Sequence, residues 1–201
     1  MDDQQILQHL GEIVAFEAEM LSKVELPKDA MLRMVREITA CSGTVVITGC
    51  GTSGIVAQKI EHTLRCIHRP AVYLNPTEAL HGGLGFLREN DIFIAISYGG
   101  ETDELIKMLP ACRQVKCLIC VVCAGENSTL AKAADVLLKV KVDREAGPHD
   151  MFATASTIAV LSVFDSIAMT VALVTDNKRE QFALIHPGGA VGSMLTAEVE
   201  K

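Results

Sequence analysis

The chain has 201 residues, 49% hydrophobic and 21% charged, with a formal charge of −7, 2 Tyr and no Trp. That apolar content excludes a disordered chain, and 7 Cys, an odd count with no signal peptide ahead of it, argue against a disulfide scaffold. An acidic balance also argues against nucleic acid held through bulk charge. The length suits a single domain, with N-terminal helices over residues 2–41 and an αβ core over 43–201.

Apolar residues Ile6, Leu7, Leu10, Ile13, Val14 and Leu21 recur at helical spacing between Asp2 and Lys23. A second helix is predicted over Lys28–Ala40, after Pro27. The texture then changes. Runs rich in β-branched and apolar residues at Val45–Thr48, Ala71–Leu74, Ile92–Ser97, Leu118–Val122 and Val136–Val142 are predicted strands. Helical segments at Gly54–Ile67, Glu101–Ala111 and Ser128–Ala134 lie between them. This alternation predicts an α/β fold with a parallel sheet covered on both faces.

The run Met151–Val174 is long enough to cross a bilayer. Asp165 sits near its centre, however, where a charge is costly in lipid, and no basic or aromatic belt flanks it. It reads as a core or interface helix, in a cytoplasmic protein with no membrane partner. The segment Ile185–Met194 closes the chain. Cys117, Cys120 and Cys123 share a predicted strand, where alternation sends Cys120 to the opposite face, so with Cys112 they read as apolar fill.

Gly49-Cys50-Gly51-Thr52-Ser53-Gly54 matches G-x-G-x-x-G between a strand and a helix. A dinucleotide site needs an acid about 20 residues on, but that place reads Tyr73-Leu74-Asn75-Pro76, so no NAD is expected. The loop remains a candidate anion cradle: glycines admit backbone N–H groups, and Thr52 and Ser53 add hydroxyls. A tight turn with an N-cap hydroxyl is the alternative. A second strand ends in Ser97-Tyr98-Gly99-Gly100-Glu101-Thr102, again hydroxyls and glycines where a helix begins. Two such loops at the carboxyl edge of a sheet point to a small phosphorylated ligand. Glu101, Asp103 and Glu104 suit the first turn of the following helix.

These loops, together with Glu78-Ala79-Leu80-His81-Gly82-Gly83-Leu84-Gly85, Glu145-Ala146-Gly147-Pro148 and His186-Pro187-Gly188-Gly189-Ala190, resemble in order and spacing the sugar isomerase (SIS) domain. Within it, the chain is most similar to the arabinose-5-phosphate isomerase branch. The resemblance implies an αβα sandwich around a five-stranded parallel sheet, a sugar-phosphate ligand and no cofactor or metal. It also implies a homodimer or homotetramer whose sites take residues from neighbouring subunits. Ser53, Ser97 and Thr102 match phosphate ligands, within loops that include Gly51, Thr52, Gly99 and Gly100. Glu104, Glu145 and His186 match catalytic positions, and His81 a substrate contact. Thr52 stands where the branch has Lys, Asn75 where it has a metal-associated His, and the second loop lacks one hydroxyl of the usual Ser-Asn-Ser-Gly-Glu. Longer members carry a pair of CBS domains after the SIS domain.

Aldose–ketose isomerisation moves a proton between adjacent carbons through an enediolate, so it needs a base beside an anchored substrate. Glu145, after the last predicted strand, is the expected base; Glu104 could be that base or orient a hydroxyl, and His186 could open the sugar ring or shuttle protons. The plainer readings are an acid paired with Arg144 or Lys141, and a histidine at a helix end. SIS domains also occur as non-catalytic phosphosugar sensors, the alternative function.

Overall fold

The computed structural model describes residues 1–189; Ala190 and the end of the predicted closing segment lie outside the described residues. Five strands form one all-parallel sheet: β1 (Val45–Gly49), β2 (Ala71–Tyr73), β3 (Ile92–Ile96), β4 (Leu118–Cys123) and β5 (Val136–Lys139), in the order β2-β1-β3-β4-β5. Every residue of β1 and β3 is buried. This is why those strands read as unbroken apolar runs, without polar alternation.

Helices cover both faces. Val45, Ile47, Ile92, Ile94 and Ile96 pack against α2 (Lys28–Ala40), α3 (Thr52–Cys66) and α7 (Ala155–Val174). Val46, Phe93, Ala95, Ile119 and Val121 pack against α4 (Pro76–Leu80), α5 (Asp103–Val115) and α6 (Thr129–Lys132). The predicted three-layer αβα sandwich is therefore the fold, with α1 (Asp3–Ser22) laid against α7 and α8 (Arg179–Ile185) following it. The α1 N-terminus is closed by a capping box, the Asp2 carboxylate accepting the Gln5 N–H at 2.8 Å.

Several boundaries differ from expectation. β5 stops at Lys139, short of Val142, because the bond from the Val140 N–H to the Cys123 carbonyl is the last to β4. α5 continues through Pro110 to Val115; Pro110 is exposed, where a lost helical bond is least costly. α7 begins at Ala155, after a turn at Pro148–Asp150. α4 is an addition to the predicted elements, yet its signal is plain: the Asn75 side chain accepts the Thr77 and Glu78 N–H groups, and Pro76 opens the helix.

α7 is long and apolar enough to cross a membrane. Here Ala159, Val163, Phe164, Ile167 and Val171 are buried in the core, and Asp165 pairs with Lys59 of α3. The cysteine reading holds: Cys120 joins one core, while Cys112, Cys117 and Cys123 join the other.

Candidate active site

β1 and β3 run side by side from Val45↔Ile92 to Gly49↔Ile96, and the chain leaves them in opposite directions across the sheet. Open α/β sheets bind ligands outside the carboxyl ends of the strands at such a switch point. Both hydroxyl-and-glycine loops open there.

In the first, Gly51 (φ 55°, ψ −129°) is the N-cap of α3, and no side chain caps the helix. Thr52 is exposed and Ser53 half-buried, and neither hydroxyl bonds within the described residues. The Gly54 N–H bonds the Gly51 carbonyl at 2.9 Å, which leaves the Thr52 and Ser53 N–H groups and both hydroxyls available to an anion. In the second, the buried Ser97 hydroxyl accepts the Gly100 N–H at 3.1 Å and pairs with the Thr102 hydroxyl at 2.8 Å. Gly100 takes the left-handed conformation (φ +70°), while Gly99 is exposed. α5 likewise has no side-chain cap. Glu101 turns away and accepts the Thr129 N–H at 2.8 Å, which holds its carboxyl below the usual range.

Glu104 lies in the first turn of α5 and is exposed. It lies within electrostatic reach of the first loop, where the Cys50 thiol is pushed up first by burial and then by the Glu104 carboxylate.

Glu145 is half-buried, on the segment beyond β5. One of its oxygens, Oε2, accepts the Thr154 N–H at 3.0 Å, the Thr154 hydroxyl at 3.2 Å and the Ser156 N–H at 3.0 Å. It therefore anchors the start of α7. No bond to Arg144 or Lys141 forms among the described residues; the Arg144 guanidinium lies 5.2 Å from the Phe16 ring centre. Burial pushes the Glu145 carboxyl up, but the bonds from Ser156 and Thr154 outweigh it and hold the group below the usual range. Ser156, whose N–H bonds Glu145, lines one small cavity with Ser53 of the first loop and Tyr98. Glu145 itself lines a cleft of about 560 Å³ with His9, Phe16 and Asp150. Thr154 and Ser156 were missed from sequence; hydroxyl residues just ahead of an apolar helical run were the available signal.

The depressed Glu145 carboxyl has a pH consequence. The unfolded chain holds its proton up to about pH 4.3 and the folded chain releases it lower, so the stabilisation is present above that value. It is lost as pH falls through the folded value. The difference in Tm between the native chain and Glu145→Gln is expected to be largest at neutral pH and to shrink below about pH 4; a difference constant with pH contradicts this.

Neither histidine side chain bonds to this group among the described residues. His81 caps the end of α4 and is exposed, with no side-chain partner among the described residues. His186 ends α8 and stacks on Phe182, ring centres 5.2 Å apart, with a buried Nδ1 that has no partner among the described residues. α8 is tied to the far end of α3: His68, just past that helix, bonds the Gln181 carbonyl at 2.9 Å. α3 has 15 residues, about 22 Å at 1.5 Å each, and its other end carries the first loop. Glu104 and Glu145 thus share the carboxyl edge with both loops, whereas His186 of the same chain is at the opposite end.

The model of a family described as the SIS domain matches residues 38–171. Arabinose 5-phosphate isomerase KdsD of Yersinia pestis is 34% identical over 189 residues, covering 94% of this chain and 58% of that protein. The chain spans little more than half the length of the curated relatives it matches. A Listeria monocytogenes crystal structure, described as a candidate sugar-phosphate isomerase, superposes with a TM-score of 0.90 at 41% identity, covering 94% of this chain and 100% of that one. An Escherichia coli CFT073 protein in complex with arabinose 5-phosphate gives a TM-score of 0.89 at 28% identity, covering 93% and 100%.

Proposed function

The chain belongs to the SIS domain family, and from that premise we propose that it is a sugar-phosphate isomerase interconverting an aldose and a ketose through an enediolate. The observation that carries the reading is the pair of uncapped, hydroxyl-bearing helix starts flanking the switch point, with two carboxylates on the same edge. The phosphate docks on the N–H groups of α3 and α5 and on the Ser53, Ser97 and Thr102 hydroxyls. Glu145 takes the carbon-bound proton. Its Oε2 is committed to α7, which leaves the other oxygen for the substrate, and its lowered pKa keeps it ionised. Glu104 orients the sugar hydroxyls, and His81 contacts the sugar from the β2 side. Similarity to an arabinose 5-phosphate isomerase and to a complex with arabinose 5-phosphate supports a pentose phosphate as substrate.

The test is incubation with arabinose 5-phosphate, ribulose 5-phosphate and fructose 6-phosphate while aldose–ketose exchange is followed. Exchange with at least one supports the reading. Exchange with none, alongside tight binding of one, makes the chain a phosphosugar sensor.

Thr52 is exposed at the first position of α3, so a lysine there meets no packing constraint. A cation at a helix start costs about 0.3–1 kcal/mol, which a bound phosphate reverses. Thr52→Lys is expected to raise kcat/KM for a pentose phosphate about tenfold or more. An unchanged or lower value would show that the native site works without that cation.

We also propose that the protein self-associates. Ile6, Leu7, Leu10 and Val14 of α1 and Leu173 and Leu184 near α8 are exposed apolar side chains. Association would cover them, and it would let His186 of one subunit serve a neighbour's site. Light scattering after size exclusion should give a dimer or tetramer; a monomer at micromolar concentration contradicts this.

A further inference from the structure

Beyond Val140 the chain has left β4 behind, and the segment leading to Glu145 has no strand beside it. Val142 is nevertheless buried, and its backbone is paired. The Tyr98 hydroxyl accepts the Val142 N–H at 3.4 Å and donates to the Val142 carbonyl at 3.3 Å. One phenol oxygen thus does for Val142 what a neighbouring strand does elsewhere in the sheet. Tyr98 is itself held firmly: its carbonyl accepts the Ala124 N–H at 2.9 Å, and the Ser97 N–H before it bonds the Val122 carbonyl at 3.0 Å. Burial pushes the phenol up, so it stays protonated, able to donate and accept at once.

We infer that Tyr98 is a positioning residue: by clamping the Val142 backbone to the second anion loop, it sets where Glu145 stands relative to the bound phosphate. Only Asp143 and Arg144 separate Val142 from Glu145, so slack at the clamp passes to the carboxylate. The inference rests on the reading of Glu145 as the base. It deepens that reading, because the residue that helps form the phosphate loop also sets the reach of the base. A rival role for the ring is to close the small cavity it lines with Ser53 and Thr157. Tyr98→Phe separates the two, since it keeps the ring and removes only the hydroxyl.

Charged and titratable groups face Glu145 from several sides. His9 and Glu12 approach from α1, and Asp143, Arg144 and Asp150 from its own segment. Tyr98 approaches from the anion loop, and α7 contributes only N–H and hydroxyl groups. Tyr98→Phe leaves all of the others in place, so a change in the Glu145 titration reports a change in how α7 holds it.

The experiment is a carbon-detected NMR titration of the Glu145 carboxyl in the native protein and in Tyr98→Phe, with Glu145→Gln to assign the signal and a thermal melt on each. The apparent pKa of Glu145 is expected to rise by about half a unit or more in Tyr98→Phe as its bonds to α7 slacken. On the substrate found active, kcat should fall about tenfold while KM stays within about threefold. In a Glu145→Gln background, the same change should alter the residual rate by less than about twofold. An unchanged Glu145 titration with unchanged kcat would overturn the clamp. If the native protein isomerises no sugar phosphate, the reading of Glu145 as a base fails, while the titration still decides whether Tyr98 sets the carboxylate.

Discussion

Glu145→Gln should lower kcat about a thousandfold and leave the Kd for the sugar phosphate within about threefold. Glutamine retains a carbonyl oxygen for the Thr154 and Ser156 N–H groups that Glu145 holds at 3.0 Å, so the start of α7 and the phosphate loops keep their places. What is lost is the negative charge and the capacity to take a carbon-bound proton. Isothermal titration with arabinose 5-phosphate, beside a coupled rate assay, separates the two effects. Near-normal turnover would remove Glu145 from the chemistry. Glu104→Gln in the same assay assigns the partner role. If Glu104 only orients hydroxyls, its loss costs less in kcat than that of Glu145 and raises KM as well.

Gly100→Ala should destabilise the fold by about 2–4 kcal/mol and weaken phosphate binding at least tenfold. Two effects add. The φ of +70° is disfavoured for any residue with a Cβ, and that Cβ would overlap the Ser128 hydroxyl. Ser128 cannot retreat freely, because its hydroxyl accepts the Ala131 N–H and caps α6. The strain falls on the second anion loop, where the Gly100 N–H is bonded to Ser97. Adding Ser128→Gly removes the clash and not the backbone strain, so it should restore only part of the lost Tm. Full restoration would mean that the conformation of Gly100 carries no cost; no loss in Gly100→Ala would mean that the loop is built differently.

Much of the fold was legible because parallel strands buried on both faces are written as continuous β-branched runs. That same signal overran at β5. Val140 and Val142 continue the pattern, but the pairing with β4 ends, and Val142 turns instead to the Tyr98 hydroxyl. α5 ends at Val115, past the predicted end at Ala111, and Pro110 sits within it on an exposed face where the helix tolerates it. The two glycine-and-hydroxyl loops at the carboxyl edge could be found from local chemistry alone, since glycine and hydroxyl spacing before a helix is a local signal. The setting of Glu145 could not. Its bonds reach Thr154 and Ser156, 9 and 11 residues on, across a turn that sequence patterns do not specify. The sequence likewise brackets His186 with the other site residues, whereas the bond between His68 and Gln181 ties its helix to the far end of α3. That separation follows from packing alone.

Proton exchange with solvent is the most direct test of the central claim, that a carboxylate on this sheet edge isomerises a sugar phosphate through an enediolate. The native protein, incubated in deuterium oxide with arabinose 5-phosphate and followed by proton NMR, should place deuterium at carbon 1 of the ribulose 5-phosphate that forms and, as the reaction reverses, at carbon 2 of the aldose. Glu145→Gln should show neither the exchange nor the ketose. Ketose formation with no deuterium at carbon 1 of the ketose or carbon 2 of the aldose, or no ketose and no exchange from the native protein, would contradict the account.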